Sequence, residues 1–140
     1  MTPAASGHRS LPHTADARVE AWAPSREGCI AEAVAGTVEA FLDTADARPT
    51  TAHHFRVDAG AAEDQLVAVL DEVVYLLDTT GQVPLATVVS ATAGGLDVRF
   101  DTAEGASLRQ VGAVPKAVSL HDLSFARGAG GWSCRVTLDV

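Results

Sequence analysis

The residues of this 140-residue chain with chemistry to offer are carboxylates at strand ends, a lysine ahead of a strand and a histidine where an alternating pattern breaks. Asp16 precedes an alternating run, Arg18 to Ala23, on the parity of its polar side. Asp139 lies on the polar side of the last run, next to Val140. Should these two strand ends meet, two aspartates and the terminal carboxylate of Val140 converge. Clustered carboxylates repel until neutralised, and hard oxygen donors suit Ca²⁺ or Mg²⁺ better than zinc. On periodicity alone, two solvated aspartates are the plainer outcome.

His121 sits in Lys116-Ala-Val-Ser-Leu-His121-Asp-Leu, where the apolar parity flips. Val118 and Leu120 share one side, Leu123 and Phe125 the other, as a β-bulge would produce; bulges re-aim side chains beside sites. The plain alternative is a strand break with an exposed histidine. His13 opens His13-Thr-Ala-Asp16, while His8, His53 and His54 read as solvent-exposed. Cys29 and Cys134 have no C-x-x-C spacing and read as small buried hydrophobes. Neither a phosphate-cradling glycine loop, nor a nucleophile elbow, nor a zinc-helix motif, nor an EF-hand loop is present. No catalytic motif is signalled.

The elements that must position these residues follow from periodicity. Residues 1–12 read as a loosely ordered tail, and 13–140 as one domain. After the run at 18–23, Ser25 is a natural N-cap for a helix whose Ile30, Ala33, Val34, Thr37, Val38 and Phe41 recur at helical spacing. Phe55, Val57 and Ala59 suggest a second strand. A second helix spans about Ala62 to Thr79, with Leu66, Val69, Leu70, Val73 and Leu77 facing the core and Gly81 as its stop. Val67, Val74, Tyr75 and Leu76 spread apolar surface further around it, which implies burial on more than one side. The period then changes to two. Residues 87–92 and 96–101 form a hairpin at Gly94-Gly95, expected to need positive φ angles; 103–111 reads as a surface loop. Residues 117–125 and 132–140 form a second hairpin across Arg127 to Gly131, which should bury Trp132, Cys134, Val136 and Leu138. The expected fold is α+β: a single domain with two amphipathic helices packed on an antiparallel or mixed β-sheet of about six strands.

Composition narrows the function classes. Apolar residues make up 47% and charged residues 20%, enough for a core and too little charge for a disordered chain. No apolar run nears the roughly 18 residues of a membrane span, and no export signal is visible, so a soluble cytoplasmic protein is expected. Eighteen Asp+Glu against ten scattered Lys+Arg give a net charge of −8. Autonomous nucleic-acid binding, which normally needs a cationic face, is not expected.

Four separated segments match one pattern: His13-Thr-Ala-Asp16; Leu70-Asp-Glu-Val-Val-Tyr-Leu-Leu-Asp78; Lys116-Ala-Val-Ser-Leu-His121; and Gly131-Trp-Ser-Cys-Arg-Val-Thr-Leu-Asp-Val140. In this order the chain resembles the archease family over nearly all its length beyond residue 12. The resemblance implies a non-catalytic accessory protein that activates an RtcB-type RNA ligase in tRNA splicing or RNA repair, promoting guanylylation and multiple turnover. It also implies a divalent metal, expected to be Ca²⁺, on Asp16, Asp139 and the Val140 carboxylate. Lys116 matches the family's functional lysine; Glu72 and Asp78 match acidic positions of the second helix that would either face the partner or cap and orient local structure, and His13 and His121 fall on motif positions expected to face a partner. A chaperone-like or modulating role towards RNA-modifying enzymes is the related alternative. A small metal-dependent enzyme using His121 and Asp16 is the alternative from another class. The chain departs from the family pattern at Ala17-Arg18, at Asp71-Glu72-Val73 and at Ser119-Leu120.

Overall fold

The structure, a computed structural model, describes residues 5–11 and 16–140. The alternation near the start forms strand β2, Asp16–Ala23, which buries Val19, Ala21 and Ala23. Helix α1, Arg26–Glu39, begins where the Ser25 hydroxyl accepts a hydrogen bond from the Gly28 amide at 3.0 Å, satisfying one of the free donors of the first turn. Its buried stripe includes Ile30, Val34 and Val38. Helix α2, Ala62–Thr80, ends at Gly81, whose φ of 73° lets its amide reach the Leu77 carbonyl at 2.9 Å.

The remaining strands are β1, Gly7–Leu11; β3, Thr51–Val57; β4, Gln82–Ala91; β5, Leu96–Glu104; β6, Ala117–Gly128; and β7, Gly131–Asp139. They form two antiparallel sheets, ordered β1-β2-β7-β6 and β3-β5-β4. The α+β expectation holds, with seven strands in two sheets among the described residues where about six in one were expected. Helix α1 touches β2 of one sheet and β4 of the other, and α2 touches β6, β4 and β3. Each sheet therefore turns one face to the helices. Phe41, Leu66 and Phe100 meet there in one core.

Several expectations need correction. Gly7–Leu11 is not loose tail but an edge strand on β2. Its His8 is held rather than solvated: Nδ1 lies 2.7 Å from Glu32 and Nε2 2.9 Å from Glu39, both on α1. His53 is likewise half-buried, stacked on Phe55 and 2.7 Å from Glu72. On α2, Leu76 is buried and Leu77 only partly so, while Tyr75 is 62% exposed. Gly94 and Gly95 do not adopt left-handed φ; Gly95 is needed because a Cβ there would run into the Val57 carbonyl. Strand β5 extends to Glu104 through the start of the expected loop, followed by a single 3₁₀ turn, Gly105–Ser107.

The last hairpin follows its expected register. Cys134, Val136 and Leu138 are buried, and Trp132 packs half-buried against the same core. The parity flip in β6 is a true irregularity: pairing with β7 shifts between Ser119 and Ser124, and Asp122 adopts a φ of 56°. Cys29 and Cys134 are buried free thiols. Among the described residues, no helix is long and apolar enough to cross a membrane.

Candidate functional site

The site is built from the end of the four-stranded sheet where β2 starts and β7 stops. Asp16 and Asp139 are register partners. Facing residues of an antiparallel pair have Cα atoms about 4.5–5.5 Å apart, so the two aspartates stand side by side on adjacent strands. Ala117 of β6 pairs with Asp139 from the other side, and the Lys116 amide donates to the Asp139 carbonyl at 2.7 Å. One backbone hydrogen bond thereby fixes Lys116 beside the acidic pair. Among the described residues, no group of three His, Cys, Asp or Glu side chains is placed to hold a metal. The oxygen donors at this sheet end are the two aspartates.

Lys116 also borders a groove of about 670 Å³. One wall is α2, with Asp71, Val74, Tyr75 and Asp78; the other is Val114, Pro115 and Lys116. Partial burial raises the Asp71 carboxyl above its ordinary value. Tyr75 and Val114, both exposed, give the groove apolar surface between its charged groups.

His121 stands on the β6 bulge, 82% exposed and 3.4 Å from Asp122. Asp122 reaches across β7 to Arg18 of β2 at 2.8 Å. Arg18 and Thr137 are register partners one row in from Asp16 and Asp139, and Thr137 is only 2% exposed although its side chain points away from the helices. The bulge therefore folds over the row behind the acidic pair.

Asp16, Asp139 and Lys116 are brought together, and Asp78 shares the groove with Lys116. Glu72 is not with them; it turns towards β3 and pairs with His53. His13 lies outside the described residues. Three neighbours escaped the sequence reading. Asp71 and Tyr75 sit inside an apolar helical pattern, and Asp71 and Arg18 stand out in the sequence only as departures from the family pattern. Asp122, at the parity flip, was the one with a legible cue.

Together these features define a small α+β protein with two antiparallel sheets around two helices and an acidic, lysine-bordered sheet end. The archease protein family matches over residues 8–140, and the chain belongs to that family. It is 56% identical over 135 residues to the "Probable protein archease" of two Mycobacterium tuberculosis strains, an alignment that covers 96% of this chain and 75% of theirs. Two solved structures share its fold. The solution structure of Methanobacterium thermoautotrophicum protein 1598 has a TM-score of 0.74 at 22% identity, covering 96% of this chain and 99% of that one. The Thermotoga maritima archease, described as a possible chaperone, has a TM-score of 0.66 at 22% identity, with 93% and 94% covered.

Proposed function

We propose that this chain is a non-catalytic, cytoplasmic accessory protein that activates an RtcB-type RNA ligase by presenting its acidic sheet end to the enzyme. The observation that carries the reading is the register of Asp16 with Asp139, with Lys116 hydrogen-bonded to Asp139 on the far side. Asp16, Asp139 and the Val140 carboxylate would hold a divalent ion, with calcium favoured because it tolerates irregular oxygen coordination. Such an ion would supply charge neutralisation, allowing three carboxylates to stay close. Lys116 stands beside them as a point charge suited to phosphate or carboxylate. The groove between α2 and Lys116 offers the partner both apolar surface and the Asp78 carboxylate. The enzyme alternative draws less support, since His121 is out on the bulge rather than in a cavity. A chaperone-like role would use the same surface without the ion.

The test is guanylylation and multiple-turnover ligation by a cognate ligase with GTP, Mn²⁺ and a cleaved tRNA. Stimulation by the wild type and its loss in Lys116→Ala, with a melting temperature within a few degrees of wild type, is expected because exposed substitutions usually cost within about 0.5 kcal/mol. Asp16→Asn should lose stimulation and calcium binding together. Absence of stimulation by the wild type, or full stimulation by both variants, overturns the reading.

A further inference from the structure

The outward face of the four-stranded sheet changes sign along its length. Four residues in from Asp16 along β2, about 13 Å at strand rise, one row crosses all four strands: Arg9, Glu20, Arg135 and Ser124. Glu20 lies low, 17% exposed, and holds a guanidinium on either side. Its Oε2 accepts from Arg9 Nη2 at 2.7 Å and Nε at 2.8 Å, and its Oε1 accepts from Arg135 Nη2 at 3.2 Å. The arginine side chains themselves remain 64% and 48% exposed. Arg9 is further steadied over the Trp22 ring at 5.9 Å. Between them is a pocket of about 300 Å³ that also reaches the exposed Ser124 and Ser133.

Each guanidinium carries five N–H donors in a fixed fork. One carboxylate with two oxygens engages only part of the ten while fixing where both forks stand. Two positive groups against one negative leave this row net positive in a chain of net charge −8. The arrangement suits an anion with several oxygens and more than one direction of approach. A phosphate group meets that demand, since guanidinium forks match its oxygens bidentately. Serine hydroxyls can donate to a third oxygen. Trp22 adds an aromatic edge beside the anion, favouring a phosphate that carries a nucleoside.

We propose that Arg9, Arg135, Ser124 and Ser133 form a phosphate-binding site on this sheet face, with Glu20 as the residue that positions both arginines. It does not depend on the ligase reading or on a metal at Asp16. The phosphate can come from an RNA strand or from a free nucleotide, and titration separates the two.

The experiment is calorimetric titration at low salt with inorganic phosphate, GTP and a short single-stranded RNA. Saturable binding is expected, weakened about tenfold or more in Arg135→Gln, the scale of one charge-assisted hydrogen bond. Arg9 lies on the edge strand β1 and helps dock it through Glu20, so Arg135→Gln, on the interior strand β7, carries the test. Glu20→Gln discriminates further. Freeing both forks from the carboxylate that positions them should weaken phosphate binding several-fold despite the added positive charge, whereas arginines that attract anions by charge alone should bind more tightly. Arg56→Gln, on the other sheet, should leave binding unchanged. Tighter binding of RNA than of GTP assigns a strand as the source, and the reverse assigns a nucleotide. No saturable binding of any of the three, unchanged binding in Arg135→Gln, or binding as tight or tighter in Glu20→Gln, overturns the site.

Discussion

The two sheets of this protein solve the same problem and differ in the kind of irregularity they carry. Each buries one face on the helices and turns the other outward, as antiparallel sheets commonly do. The three-stranded sheet takes up one extra residue, Leu85, where the β4–β5 register shifts between Pro84 and Ala86; beyond it the outward rows are plain: His54, Arg99 and Val88 in one, Arg56, Asp97 and Ser90 in the next. Its ion pairs, Arg56 with Asp97 at 3.1 Å and Arg99 with Asp101 at 3.3 Å, lie along the surface. The four-stranded sheet instead interrupts its last pairing, sets Asp122 in a left-handed conformation and draws Arg18 down under the bulge. A left-handed non-glycine residue costs of order 1–3 kcal/mol and persists only where its surroundings over-determine it. The irregularity falls one row behind Asp16 and Asp139. The three-stranded sheet, bulged without a left-handed residue, is scaffold; the strained one carries the candidate site.

The largest expected effect tests the scaffold half of that contrast. Gly95 closes the β4–β5 hairpin with no room for a Cβ against the Val57 carbonyl, while Gly94 beside it faces open space. Gly95→Ala should lower stability by about 3 kcal/mol, the upper range for forced overpacking. Gly94→Ala should change it by less than about 0.5 kcal/mol. Urea denaturation of both variants checks this. Equal effects would mean that the hairpin yields freely and that the plain sheet is not rigid.

What the sequence disclosed follows the same division. Helices α1 and α2 and the final hairpin were legible because their apolar residues keep a constant period and their ends carry Ser25 and Gly81. Asp16 and Asp139 could be placed at strand ends from alternation, but their pairing needed the order β2-β7, which no local pattern encodes. The bulge was legible as a parity flip. Its ion pair was not, because Arg18 and Asp122 are separated by 104 positions. Strand β1 was missed because five residues, GHRSL, carry almost no alternation. It is held by its neighbours, through Arg9 on Glu20 and His8 on α1.

That dependence of β1 on its neighbours predicts a pH effect confined to the four-stranded sheet. Burial alone would lower the His8 pKa, but hydrogen bonds to Glu32 and Glu39, with their charges, raise it above its ordinary value of 6.5. A raised folded-state value means that protonation favours the folded form. The contribution is complete below the unfolded value of about 6.5 and is lost as pH rises through the higher folded value. Stability should therefore decline as pH rises from about 6.5 through the raised folded-state value, with amide exchange in β1 accelerating first. His8→Gln should flatten the decline and leave exchange in β3 and β5 untouched. A decline of the same size in His8→Gln would place the titrating group elsewhere.

The smallest effect sharpens the contrast most, because it compares like with like. Arg18–Asp122 and Arg56–Asp97 are both cross-strand arginine–aspartate pairs, at 2.8 and 3.1 Å. The first is 25% and 47% exposed and the second 75% and 55%. Exposed pairs are screened by water and must immobilise two long side chains, so they contribute about 0–1 kcal/mol with many near zero. A double-mutant cycle with Arg18→Gln and Asp122→Asn should give a coupling near the top of that range, about 1 kcal/mol. The Arg56→Gln and Asp97→Asn cycle should give one indistinguishable from zero. Breaking the first pair should also relax the bulge, seen as faster amide exchange at His121 and Asp122, while the second leaves its sheet unchanged. Equal couplings would show that the bulge is set by the backbone alone, and Arg18 would lose its role as the residue that holds it over the sheet.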